Sequence, residues 1–108
     1  MIRNYEACFL ISADLSDEQV AGEVKFVEDA ISNAGGELVK SEVWGKRTLA
    51  YPIKKKNEAV YAFFYFRGEP SLIVRLKDAC ALRETILRFL FLQRKTLPDA
   101  STHDGKPQ

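Results

Sequence analysis

The chain has 108 residues, of which 46% are hydrophobic and 29% charged, a composition that indicates one globular domain and excludes a fibrous chain. Sixteen Lys and Arg residues against fifteen Asp and Glu residues give a net charge of +1. No apolar run approaches the roughly twenty residues that a membrane span requires, and the first residues lack the pattern of a secretory signal. We therefore expect a cytoplasmic protein that does not enter a membrane.

The small net charge conceals an uneven distribution along the chain. Residues 1–36 carry a net charge of −5, whereas residues 37–108 carry +6. The most basic part is residues 40–56, where six Lys and Arg residues accompany only Glu42. Such a local excess of positive charge attracts a polyanion that the net charge of the whole chain would not predict.

The first two predicted elements are a strand and a helix. Apolar residues alternate over residues 5–11, which is typical of a strand with one buried face. Ser16 and Gln19 then have the spacing of a capping box, and apolar residues recur at helical spacing behind them. Gly35 and Gly36 predict the end of this helix, because glycine adopts the left-handed conformation that closes a helix.

Two strands are predicted next. Residues 37–53 are extended and carry Gly45, which indicates a bulge or bend, and Pro52, which lacks the N–H that a central strand donates. We therefore predict an edge strand here. Residues 59–66 are apolar on both faces, which is typical of a central strand.

The last predicted elements are a helix, a strand and a tail. The Glu-Pro-Ser sequence at residues 69–71 indicates a helix start, and residues 86–92 are rich in the branched and aromatic side chains of strands. The stripe of the helix that faces the core is expected to contain Leu72, Leu76 and either Ala79 or Cys80. Residues 96–108 offer almost nothing to bury, so we predict a disordered tail.

The order of these elements predicts the fold class. A β-α-β-β-α-β chain is typical of an α+β, ferredoxin-like domain, here residues 1–95, with a four-stranded antiparallel sheet and two helices on one face. The third strand then puts large apolar side chains on the helix-free face whichever way it is oriented. An uncovered apolar face usually has a partner, although loops, the tail or a second copy of the chain are alternative covers.

The residues offer little for catalysis. His103, the single imidazole, lies in the predicted tail, where nothing would hold it at a reacting geometry. Cys8 and Cys80 lack the paired spacing of a zinc site and are expected to be buried small hydrophobic residues. No glycine-rich phosphate loop occurs in the sequence. We predict no enzyme, no metal site, no cofactor and no small-molecule substrate.

Three segments carry a resemblance to a known family. The sequences RNYE at residues 3–6, WGKRTLAYPIKK at residues 44–55 and ILRFL at residues 86–90 resemble the bacterial small-subunit ribosomal protein number six family. The resemblance spans residues 3–95. It implies a ferredoxin-like structural component of the small ribosomal subunit. It also implies that the chain pairs with ribosomal protein number eighteen and binds the central domain of small-subunit ribosomal RNA.

Candidate contact residues follow from the charges and from this resemblance. In the basic hairpin, residues 46–56, cations flank an apolar strand end and can pair with phosphates, although lysines at an edge strand also discourage aggregation. The candidates for RNA contact are Arg3, Lys46, Arg47, Lys54, Lys55, Lys56, Arg88 and Arg94. The candidates for docking the partner polypeptide are Trp44, Leu49, Tyr51, Ile53, Tyr61 and Phe63.

Two other functions share the predicted fold. An RNA-recognition motif stacks bases on its sheet, but residues 57–63 lack the leading base and the glycines of its third-strand signature. A small ferredoxin-like enzyme that holds an anion with arginine, or a regulatory domain that binds an amino acid, is the second alternative. Residues 12–16, after the first strand, contain no arginine for such an enzyme.

Overall fold

The predicted order of elements is confirmed in a computed structural model, which describes residues 1–98 of the chain. The elements are β1 (Arg3–Ser12), α1 (Asp17–Asn33), β2 (Glu37–Ile53), β3 (Lys56–Gly68), α2 (Ser71–Ala81) and β4 (Ile86–Arg94). Three strands extend beyond their predicted bounds, because their polar ends continue the ladder without continuing the apolar pattern. The predicted disordered tail lies outside the described residues from residue 99 onward, as does His103.

The sheet has the topology that the fold class requires. Its strand order is β2-β3-β1-β4, and every neighbouring pair is antiparallel. The predictions of an edge position for β2 and a central position for β3 are therefore confirmed. Both helices contribute to one buried cluster with the same face of the sheet, so they lie on one side of it.

The main core fills the space between the sheet and the two helices. Phe9 on β1 and Phe64 on β3 meet edge to face, with ring centroids 5.4 Å apart. Helix α2 contributes Cys80 rather than Ala79, because Cys80 is buried and Ala79 is exposed. Full burial of a side chain such as Leu or Phe contributes about 1.5–3 kcal/mol relative to exposure.

The ends of α1 match the sequence pattern. The Ser16 hydroxyl accepts a hydrogen bond from the Gln19 backbone N–H at 3.1 Å, and the Gln19 side chain accepts one from the Ser16 N–H at 2.9 Å. Gly35 has a φ of +93°, and the Gly36 N–H donates to the Ile31 carbonyl at 2.8 Å. Within residues 1–98, neither helix is long and apolar enough to cross a membrane.

The helix-free face of the sheet is covered by the chain itself at one end. The pairing of β2 with β3 shifts between Thr48 and Ile53, so that five steps along β2 oppose two steps along β3. This segment, residues 49–53, is called the arm below. It packs over the helix-free face, where a second small cluster of buried residues forms. Its members are Leu10, Ile53, Ala59 and Leu87. The open face expected from the topology is therefore covered by the chain itself near the hairpin.

Candidate nucleic-acid and protein interface

The tip of the basic hairpin consists of two exposed lysines in an unusual backbone conformation. Lys54 and Lys55 have φ angles of 52° and 68°, and they connect the paired residues Ile53 and Lys56. Two consecutive left-handed residues are typical of the type I′ turn, whose twist matches that of the flanking strands. The turn therefore holds two positive charges at the far end of the sheet.

The neighbouring pair of basic residues is divided between the two faces of β2. Lys46 lies opposite Val60 and lines a cleft between α1 and the sheet. Arg47 lies on the helix-free face, where its guanidinium carbon is 5.8 Å from the centroid of the Trp44 ring. The two cations, adjacent in sequence, therefore cannot contact one flat partner together.

Two of the eight candidates for RNA contact already have acidic partners. The Lys56 ammonium donates to the Asp14 carboxylate. That hydrogen bond, followed by the charge of the same lysine, lowers the pKa of Asp14. Arg94 donates to Glu6 at 2.8 Å. Lys56 and Arg94 are therefore less available for contact with phosphate than Lys54 and Lys55 at the tip.

The local charge excess is also smaller than the sequence indicates. Lys40 pairs with Glu42 at 3.0 Å, and both side chains are at least 85% buried. This pair belongs to the helix-free face, opposite Tyr65 and Phe63. Its positive charge is therefore neutralised within the sheet surface.

Along the direction of the strands, the candidate cations Arg3, Arg88 and Arg94 and the hairpin form two groups. Arg3 is paired with Gly68 at the start of β1, and Arg94 lies opposite Asn4 on the next strand. Arg88 lies opposite Leu10, near the other end of β1. The hairpin is at this same end of the sheet. At about 3.4 Å per residue the two groups are separated by about 20 Å along the strand.

Three of the candidates for partner docking form one aromatic cluster on the helix-free face. Trp44 of β2 lies 4.3 Å from Phe63 and 6.5 Å from Tyr61, measured between ring centroids. The Trp44 indole nitrogen is buried and has no hydrogen-bond acceptor among the described residues. The three residues therefore form one patch, and their contact with a partner stays a prediction.

The other three candidates, all on the arm, have different surroundings. Ile53 is 9% exposed and belongs to the second cluster, with Leu49 packed against it. Tyr51 is 59% exposed. Ile53 therefore holds the arm in place and presents no side chain to a partner, whereas Tyr51 is available.

Sequence reasoning missed two apolar residues of this face. Leu90 and Leu92 on β4 are 57% and 51% exposed. They lie beside Cys8 and Glu6 of β1 and point away from the helices, because the alternate residues of β4 face the main core. A signal was present, since residues 86–92 are apolar on both faces although β4 has only one helix-covered side.

The described side chains also allow metal binding and cysteine reactivity to be assessed. Within residues 1–98, no group of three or more His, Cys, Asp or Glu side chains could hold a metal ion. Burial, followed by the charge of Glu6, raises the pKa of Cys8 to about 11. Burial likewise raises the pKa of Cys80 to about 11. Both cysteines are therefore thiols at neutral pH, the weakly nucleophilic form.

A ferredoxin-like sheet with a cationic hairpin and an apolar, partly uncovered face defines a protein of the class that assembles with larger molecules. A family model described as ribosomal protein S6 matches residues 4–93 of the sequence. The chain belongs to the ribosomal protein S6 family.

Individual relatives agree with this assignment. The chain is 36% identical over 93 residues to the small ribosomal subunit protein bS6 of Heliobacterium modesticaldum, covering 86% of this chain and 97% of the relative. It is 38% identical over 106 residues to bS6 of Geotalea daltonii, covering 97% and 83% of the two chains. The crystal structure of 30S ribosomal protein S6 from Thermotoga maritima superposes with a TM-score of 0.83 at 30% identity, covering 87% of this chain and 89% of that one.

Membership in this family confirms several predictions made from the sequence. The family consists of structural components of the small ribosomal subunit, which is cytoplasmic in bacteria, and it is not a family of enzymes. The ferredoxin-like fold class is confirmed by the Thermotoga structure and by the element order. The individual contact residues remain predictions.

Proposed function

We propose that the chain binds the central domain of small-subunit ribosomal RNA together with ribosomal protein number eighteen. The observation that carries the proposal is the division of the described surface. Exposed lysines form the tip of the hairpin, and the helix-free face carries the aromatic cluster on β2 and β3 and two exposed leucines on β4. The first surface fits a polyanion, and the second fits an apolar polypeptide surface.

The hairpin is the part of the proposed RNA surface that the structure supports best. Lys54 and Lys55 are exposed, and their positions are fixed by a tight turn instead of a long loop. A fixed pair of cations loses less conformational freedom on binding phosphate than two cations on a flexible segment. Charge contacts of this kind add affinity but little sequence selectivity, so selectivity is expected from the shape of the folded RNA.

The helix-free face supports a protein partner. Its apolar surface comprises Trp44, Tyr61 and Phe63 at the β2 side and Leu90 and Leu92 at the β4 side. An apolar patch of this kind on a folded domain fits an apolar surface of a second polypeptide.

The same geometry argues against the sheet of an RNA-recognition motif. Such a sheet offers bare aromatic rings on which bases stack. Here Tyr61 and Phe63 already have an aromatic neighbour in Trp44, which in turn lies near the guanidinium of Arg47. Single-stranded oligonucleotides are therefore expected to bind much more weakly than folded central-domain RNA.

Paired variants test the division of the surface. Lys54→Ala with Lys55→Ala is expected to weaken binding to a central-domain transcript and to lower the log–log salt slope by about 1.4–1.8, because each phosphate contact contributes about 0.7–0.9. Leu92→Asp is expected to weaken binding to ribosomal protein number eighteen in calorimetry without RNA. Val74→Asp, at a 62% exposed position on α2, is the matched control. It is expected to change neither RNA binding and its salt slope nor the binding of ribosomal protein number eighteen.

Two results would contradict the proposal. If the isolated chain binds the transcript equally well with and without ribosomal protein number eighteen, joint binding is wrong. If the double lysine variant retains the wild-type salt slope, the hairpin does not contact phosphate. Circular dichroism of each variant establishes that the fold is intact, which we expect because all four positions are exposed.

A further inference from the structure

A small pocket lies where the arm meets the helix-free face. It has a volume of about 180 Å³ and is lined by Leu49, Tyr51, Ile53, Leu10, Tyr61 and Arg88. The pocket exists because the register shift between Thr48 and Ile53 lifts the intervening residues out of the ladder with β3. Its floor is formed by apolar residues of the second cluster.

The chemistry of the pocket combines an aromatic ring with a cation. Tyr51 is 59% exposed, and Arg88 is also exposed. Arg88 makes no ion pair within residues 1–98, in contrast to Arg94 on the same strand. A guanidinium without a carboxylate partner beside an apolar slot suits a ligand that is flat and apolar on its faces and carries an adjacent anion.

The position of the pocket narrows the choice of ligand. The arm runs directly into the turn that holds Lys54 and Lys55, so the pocket and the proposed RNA-binding tip are continuous along the chain. The pocket is smaller than the cavities of about 300–1,000 Å³ that hold drug-sized molecules. Bases that are unstacked from RNA loops and junctions are typically held by aromatic side chains and by Arg, with the phosphate close by.

We propose that this pocket binds one unstacked nucleobase of the RNA, with Tyr51 contacting the base and Arg88 the adjacent phosphate. The inference rests on the proposed RNA-binding function and assigns Tyr51 to RNA instead of to the protein partner. The apolar contact adds affinity that does not depend on salt, and it adds a preference for RNA that has a base free to leave its stack. The hairpin lysines provide neither property.

The two residues are tested by different measurements on the complex with a central-domain transcript. Tyr51→Leu is expected to weaken binding by about 5- to 150-fold with an unchanged salt slope, because a stacking contact is lost and no charge is removed. Tyr51→Phe keeps the ring and is expected to bind like the wild type. Arg88→Gln is expected to lower the salt slope by about 0.7–0.9, the contribution of one phosphate contact.

The outcomes separate this inference from the proposed function. Wild-type affinity of Tyr51→Leu would overturn the base pocket, while a reduced salt slope of the Lys54 and Lys55 variant would still support RNA binding by the hairpin. Weaker binding of Tyr51→Leu to ribosomal protein number eighteen in the absence of RNA would also overturn it, because Tyr51 would then dock the protein. Val74→Ala on α2 is the control for loss of an exposed apolar side chain.

Discussion

Glu23 is a buried carboxylate on α1, and its partner comes from the segment between α2 and β4. Arg83 donates two hydrogen bonds of 2.9 Å to the two carboxylate oxygens, and its guanidinium carbon lies 3.9 Å from the centroid of the Phe26 ring. The hydrogen bond from Arg83 outweighs the opposing effect of burial and lowers the pKa of Glu23. One residue pair thus ties the two helical regions together.

The stability that this pair provides should depend on pH in a known direction. Because the pKa of Glu23 is lower in the folded chain than its usual value of 4.5, the ionised form favours folding. We expect Glu23→Gln to reduce the free energy of unfolding by about 1.5–3 kcal/mol near neutral pH, as for hydrogen bonds to charged groups. The difference from the wild type should persist above the usual pKa and disappear as the pH falls through the folded-state pKa.

Urea unfolding at several pH values measures this difference. Asp29→Asn removes the carboxylate of an exposed ion pair with Lys25 and is the matched control, with an expected effect of at most about 0.5 kcal/mol. If the effect of Glu23→Gln on the free energy of unfolding did not change with pH, the loss would come from side-chain packing and not from the carboxylate charge.

At the scale of elements, α1 contains a residue that does not suit a helix. Gly22 lies in its second turn, and a Cβ placed on Gly22 would meet no heavy atom within 4 Å other than the adjacent backbone of the helix itself. Glycine in a helix interior is about 0.8–1 kcal/mol less favourable than alanine, because it loses more backbone freedom on folding. We expect Gly22→Ala to raise the free energy of unfolding by about that amount in urea titration.

The glycine that follows the same helix provides the opposite case. Gly35 also has open space around the position of a Cβ, but its φ of +93° is one that other residues rarely adopt. Gly35→Ala is therefore expected to destabilise the fold where Gly22→Ala stabilises it. Stabilisation by both variants would mean that backbone conformation is not the cause of either effect.

Elements were more predictable from the sequence than surfaces were. The capping box at Ser16, the bulge at Gly45 and the edge position of Pro52 are local signals, and each was placed correctly. Tyr51 and Ile53 are two residues apart and were both predicted to dock the partner polypeptide, yet Tyr51 is exposed and Ile53 is buried. Strand periodicity does not hold across the register shift that begins after Thr48, and no local pattern marks that shift.

Ion pairs were the other feature that the sequence did not reveal. Lys56 is 42 residues from Asp14 in sequence, and Arg94 is 88 residues from Glu6. Their pairing depends on the strand order, which brings distant segments side by side. Counting charges along the chain therefore overestimated the number of free cations, although it located the hairpin correctly.

At the scale of the whole molecule, two groups of candidate cations lie at opposite ends of the sheet. Arg3 lies at one end, and Lys54 and Lys55 lie at the other, a separation of more than about 20 Å at about 3.4 Å per strand residue. This exceeds the Debye length of about 8 Å at physiological salt, so the two groups are electrically independent. A single small RNA element cannot contact both groups, whereas a folded junction can.

Because the cations at the two ends of the sheet are electrically independent, their effects on the salt dependence of RNA binding are expected to add. With ribosomal protein number eighteen present, Arg3→Ala is expected to lower the log–log slope by about 0.7–0.9, and the Lys54 and Lys55 double variant by about 1.4–1.8. The triple variant should show the sum, because sites this far apart do not couple. Lys77→Ala, on the exposed side of α2, should leave the slope unchanged. A normal slope for Arg3→Ala beside a reduced slope for the hairpin variant would mean that the RNA contacts the hairpin end alone.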